Sequence, residues 1–138
     1  MSRVPLRVER GLLDTSVLIA EESGRRLRTD DLPEDSFVCV VTLAELEAGV
    51  LVATDTSVRS RRLGTLRSLA AIAPLPVDAA AASAWARMRV ELAAAGRRMG
   101  VNDLWIAAVA AANDLPVVTQ DDDFDALVEL DLVKVIKV

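Results

Sequence analysis

The 138-residue chain has no histidine and no tyrosine. Without histidine there is no Ser-His-Asp or Cys-His triad, no histidine-ligated zinc and no histidine-based RNA cleavage. Two Trp and two Phe are too few for platforms on which successive bases stack. A single cysteine, Cys39 within "SFVCVV", excludes an internal disulfide and reads as a buried thiol in a reducing, cytoplasmic setting. No apolar run reaches the roughly 18 residues needed to cross a bilayer. The opening "MSRVPLRVER" is basic but has no apolar segment behind it, so no signal peptide is expected. The net charge of −5 argues against broad, non-specific attachment to nucleic acid. It leaves room for a local basic groove, because most of the basic residues are arginines in a few groups.

What is present is a hydrophobic fraction of 52% in a length suited to one domain, residues 1–138. Strand-like and helix-like segments alternate, which predicts an α/β fold with a central, mostly parallel sheet flanked by helices in three layers. "RGLLD" reads as a short first strand ending at Asp14. "SFVCVV", 36–41, reads as a strand buried on both faces, and "TLAELEAGVLVA", 42–53, as a helix beginning at Thr42. A helix follows with Val58, Leu63, Leu66, Leu69 and Ala70 on its apolar side and Arg59, Arg62 and Arg67 elsewhere. "LPV", 75–77, is a minimal strand. The Ala-rich segment 79–96 is a helix with Trp85, Met88 and Leu92 along one stripe, better suited to core packing than to partner contact. Asn102 is expected to cap the next helix, with Asp103 opening it. "LPVVT" is a strand, "DDFDALVEL" a short helix and "LVKVIKV" a final strand.

Four acidic positions share a place in this scheme. Asp14 follows the first strand, Glu45 lies in the first turn after the second, Asp103 opens a helix, and Asp121 follows "LPVVT". In open parallel sheets, ligands bind beyond the carboxyl ends of the strands. Each acid also has a structural reading. Thr42 and Glu45 fit a capping box, Asp103 suits the helix dipole, and Asp121 to Asp123 suit a solvated turn with a cap. Asp14 is flanked by apolar residues, and a buried lone carboxylate is costly. Two carboxylates about 4 Å apart repel by about 4 kcal/mol at an effective dielectric near 20. Four together require protons or a divalent cation. With oxygen donors alone that cation is a hard one, Mg²⁺ or Mn²⁺, which suits phosphodiester hydrolysis. Arg97 and Arg98, shortly before Asp103, are candidates for phosphate contacts. Arg59, Arg61, Arg62 and Arg67 read as a solvated helix face, with an RNA track as the alternative.

"LLDTSVLIA", "TLAELEAG" and "NDLWIAAVAAANDLPVVTQDDDF", in that order, resemble the motifs of PIN-domain ribonucleases, in particular the VapC-type toxins of bacterial toxin–antitoxin pairs. The resemblance implies an acidic quartet at Asp14, Glu45, Asp103 and Asp121, with Asp123 as an extra ligand or outer-shell acid and Asp122 turned to solvent or capping a helix. It implies that Thr15 and Ser16 orient a phosphate or a water, and that Thr119 borders the same pocket. It also implies a metal-dependent endoribonuclease using one or two Mg²⁺ or Mn²⁺ ions and a metal-activated water, leaving 5′-phosphate and 3′-hydroxyl ends. A homodimer and inhibition by a cognate VapB-type antitoxin are further implications.

Two other classes compete. A receiver-like signalling domain would use Asp14, Thr119 and Lys134, with Asp78 as a poor phospho-acceptor, and would give Glu45 and Asp103 no role. A catalytically inert PIN-fold scaffold would be expected to have lost one or more of the four acids.

Overall fold

The computed structural model describes residues 8–138, so the reading of the first seven residues lies outside it. The strands are β1 (Arg10–Leu13), β2 (Asp35–Phe37), β3 (Val117–Thr119) and β4 (Val135–Lys137). The helices are α1 (Thr15–Glu22), α2 (Val40–Val52), α3 (Thr56–Ser68), α4 (Ala79–Ala94), α5 (Val101–Ala112) and α6 (Asp125–Glu129). All strand pairings among the described residues are parallel, in the order β2-β1-β3-β4. The expected α/β architecture is therefore the observed one. The chain steps outward from β1 to β2, then returns to β1's other side with β3. Strand order reverses there, and a crevice opens beyond the strand ends at such a switch point.

Register carries the two-residue period of strands into two cores. Leu12 pairs with Val117, and Leu13 with Val118. Leu12 and Val117 join Met88, Leu92, Ile106, Phe124 and Leu127 on the face covered by α4 and α5. Val118 faces the other way, towards Val17 and Val138, and a further cluster of Leu18, Val38, Leu46 and Leu69 fills the α1–α3 side. Gly11 is required by this packing, because a Cβ there would meet Val118 Cγ2 at 2.6 Å. Met88 and Leu92 are buried in the core, and Trp85 stacks on Trp105 with centroids 4.9 Å apart. The Trp85 indole N–H is buried without a partner.

Several expected boundaries move. The apolar run 36–41 is not one strand: β2 stops at Phe37, lies at the sheet edge, and α2 begins at Val40 with Cys39 as its N-cap. Thr42 is consequently inside the helix, and there is no capping box between it and Glu45. The segment 75–77 contributes only a single bridge, Leu75 to Cys39. Ala70 lies beyond α3 and is exposed. Gly100 is the N-cap of α5, so Asn102 is not the cap and Asp103 is the third helical residue. The two shifted helix starts share one cause: Gly100 and Cys39 cap without a side-chain hydrogen bond, so no cap signal marks them in the sequence. Among the described residues no helix is long and apolar enough to cross a membrane.

Candidate active site

Asp14 leaves β1 and enters α1 with no loop between. Its backbone N–H donates to Val118 O at 2.8 Å, and its carbonyl accepts from Val17 N–H. Its side chain does not cap the helix. Instead Asp14 Oδ2 accepts from Ser16 Oγ at 2.7 Å and from Thr119 Oγ1 at 2.9 Å. Those hydroxyls are themselves oriented from behind, Ser16 Oγ accepting from Gln120 N–H and Thr119 Oγ1 from Asp121 N–H. A carboxylate only 3% exposed is thus held by charge-assisted bonds that offset its desolvation.

Glu45 projects from α2 and accepts from Thr15 Oγ1 at 2.7 Å, with the buried Thr42 hydroxyl 3.0 Å from the same oxygen. The position of Thr42 explains its lost capping role, because its hydroxyl lies against Thr15 rather than at a helix end. Asp103 arrives from α5. Burial first, then the charges of Asp14, Asp123, Glu45 and Asp121, push its pKa up to about 6. Asp121 is raised as well, by burial and then by Asp14 and Asp123, with Arg25 pulling the other way. Asp123 is exposed at the pocket edge, anchored by the fully buried Phe124 that follows it. Asp122 points outward and pairs with Lys137, which also reaches Asp125 at 2.9 Å.

One pocket of about 320 Å³ collects Asp14, Thr15, Ser16, Ile19, Arg25, Glu45, Asp103, Asp121 and Asp123. Its acids come from the ends of β1 and β3, from α2 and from the first turn of α5. Thr119 stands behind it, buried. Larger hollows occur elsewhere. One of about 770 Å³ is lined by Leu115, Val128, Lys134 and Val135, among others, and one of about 810 Å³ by Arg89, Arg97, Arg98 and Leu104. Neither contains an acid of the quartet, and size does not outweigh converging carboxylates. Arg97 and Arg98 are therefore not brought into the acidic pocket, and Arg97 pairs with Glu129. Arg62 donates to Gly49 O at 2.7 Å and Arg61 lies 3.7 Å from Glu22, so both have structural partners. Arg25 and Ile19 are the pocket residues that sequence reasoning missed.

The donor set is all oxygen: carboxylates backed by hydroxyls. Among the described residues no three acidic side chains are already gathered in metal-ligand geometry. The mutual repulsion recorded at Asp103 and Asp121 is nevertheless the kind that a hard divalent cation relieves. The receiver-like alternative loses two of its residues here. Lys134 lines a different hollow, and Asp78 caps α4 by accepting from Ala81 N–H at 2.9 Å.

Comparison with known proteins identifies the family of this chain. Residues 11–130 match the PIN domain family. The chain is 56% identical to Ribonuclease VapC5 of Mycobacterium tuberculosis over 128 residues, covering 93% of this chain and 95% of that one. It is 38% identical to Ribonuclease VapC4 of the same organism over 130 residues, covering 94% and 100%. The solved VapBC-5 structure from Mycobacterium tuberculosis, described as a member of the VapBC family of toxin–antitoxin systems, superposes with a TM-score of 0.87 at 53% identity, covering 94% of this chain and 98% of that one. This chain belongs to the PIN-domain family, in its VapC group.

Proposed function

We propose that this protein is the ribonuclease toxin of a VapBC-type pair, hydrolysing RNA phosphodiester bonds in the acidic pocket and neutralised by a VapB-type antitoxin. The observation that carries the reading is the convergence of Asp14, Glu45, Asp103 and Asp121 on one pocket in a chain closely similar to proteins named as VapC ribonucleases. Asp14, Glu45, Asp103 and Asp121 are the residues to hold one or two Mg²⁺ or Mn²⁺ ions, with Asp123 at the rim as a weaker partner. When bound, such an ion supplies an activated water near neutral pH and charge stabilisation at phosphorus.

The chain's own residues do the rest. Thr119 and Ser16 fix the Asp14 carboxylate by occupying Oδ2, which orients the other oxygen. Thr15 does the same for Glu45. Asp103, whose pKa is raised by burial and by the neighbouring carboxylates, gives up its proton when it takes the cation. The remaining wall, Ile19, is apolar and 44% exposed, so it offers contact without competing for the ion. Homodimerisation and a cytoplasmic location belong to the same reading.

The test is incubation of total bacterial RNA with purified protein, with and without EDTA, beside Asp14→Asn and Asp103→Asn. Cleavage lost under chelation and in both variants supports the reading. Cleavage that persists in all three arms sinks it.

A further inference from the structure

Arg25 is a cation among acids, sharing its pocket with five carboxylates. Among the described residues it nevertheless takes part in no ion pair, whereas Arg61, Arg97 and Lys137 each find an acidic partner. Its side chain is exposed, but its backbone is fixed. Gly24, at φ 72°, ends α1. Gly24 N–H donates to Glu21 O, and Arg25 N–H to Ala20 O at 2.8 Å, the pair of bonds of a Schellman turn. The segment is also tied to the far side of the site. Gln120, between Thr119 and Asp121, donates from its side-chain amide to Arg26 O and to Val138 O, both at 2.9 Å.

A guanidinium that lines an acidic pocket from a fixed backbone, acts on Asp121 by charge but forms no ion pair with the acids there, is placed for an anion that comes from outside. The need for one is physical, because a pocket of five carboxylates repels a polyphosphate chain. We propose that Arg25 binds a phosphate of the RNA strand, its planar fork taking two non-bridging oxygens. The assignment rests on the ribonuclease reading above and adds a substrate-binding residue to it. Arg97 and Arg98, the arginines nearest Asp103 in sequence, line a separate hollow.

The experiment compares the full chain with Arg25→Ala and Arg25→Lys in three readouts. These are the apparent KM and kcat for total bacterial RNA, filter retention of a labelled single-stranded RNA across salt concentrations, and calorimetric titration with Mn²⁺. Arg25→Ala is expected to raise the apparent KM about tenfold to a hundredfold, the range of a lost charge-assisted contact, with kcat changed less. It should flatten the salt dependence of RNA retention by roughly one counterion and leave Mn²⁺ affinity unchanged or tighter, while Arg25→Lys keeps part of the RNA affinity. An unchanged KM and salt slope with tighter Mn²⁺ binding would make Arg25 a mere countercharge and overturn the proposal. If the unmodified protein cleaves RNA no better than Asp14→Asn, the ribonuclease reading falls. RNA retention then still decides Arg25: weaker retention in Arg25→Ala supports it, and equal retention refutes it.

Discussion

Thr119 Oγ1 donates a 2.9 Å hydrogen bond to Asp14 Oδ2, joining the end of β3 to the end of β1 across 105 residues of chain. The same hydroxyl accepts from Asp121 N–H at 3.0 Å. One buried threonine thereby sets the position of two acids. Thr119→Val keeps the shape but leaves the Asp14 carboxylate short of a donor and the Asp121 amide without its acceptor. The expected loss is about 1–3 kcal/mol of stability, read as a lower urea midpoint at unchanged slope.

Repulsion at the site gives a prediction of opposite sign. Asp103 has a folded-state pKa of about 6 against an ordinary 3.8. The folded protein therefore binds this proton more tightly than the unfolded chain does, and stability falls as pH rises from 3.8 towards 6. Above that window the penalty is complete. Without divalent cation, Asp103→Asn should stabilise the protein at neutral pH and show no advantage below the ordinary carboxylate pKa. A gain of roughly 1 kcal/mol is expected, well under what the whole shift would carry, because solvent screens the half-exposed side chain. Denaturant melts in EDTA at several pH values check it.

A divalent cation must displace that proton. Mn²⁺ affinity should therefore fall as pH is lowered through about 6, and binding near that pH should release protons. Titration calorimetry in buffers of different ionisation enthalpy reads the release directly. Binding that ignores pH across the window would remove Asp103 from the cation site.

Packing behind the site is tested by Gly11→Ala. The added methyl would meet Val118 Cγ2 at 2.6 Å and Pro33 Cγ at 3.1 Å, forcing β1 and β3 to adjust. Overpacking of this kind costs about 1–3 kcal/mol, and the shift would move Asp14 relative to Thr119. A thermal melt and an RNA cleavage assay should decline together.

Asp14, Asp103 and Asp121 were legible in the sequence because each lies close to the end or the start of a strongly patterned element, whereas Glu45 lies inside α2. Asp14 follows an apolar strand, Asp121 comes two residues after "LPVVT", and Asp103 lies in the first turn of an apolar helix. Parallel topology then brings them together. Helix starts were less legible. Cys39 and Gly100 cap with backbone alone, so Thr42 and Asn102, the residues with cap-forming side chains, drew the boundary inward. Arg25 was hidden for a different reason. "ESGRRLRT" looks like a solvated loop, and non-local ties, the Gln120 bond to Arg26 O and the packing of Leu27 against Val118 and Val138, hold it beside the pocket. Arg97 and Arg98 are close to Asp103 along the chain, yet they line another hollow. The loop before α5 puts them there.

The chemistry at phosphorus is tested most directly by the ends of the RNA fragments. The proposed mechanism, in which a pocket of carboxylates holds the cation in a chain without histidine or tyrosine, calls for attack by water rather than by the ribose 2′-hydroxyl. The expected fragments carry 5′-phosphate and 3′-hydroxyl ends, shown by ligation to a 5′-adapter without prior kinase treatment. Fragments ending in 2′,3′-cyclic phosphate with 5′-hydroxyl partners would contradict it.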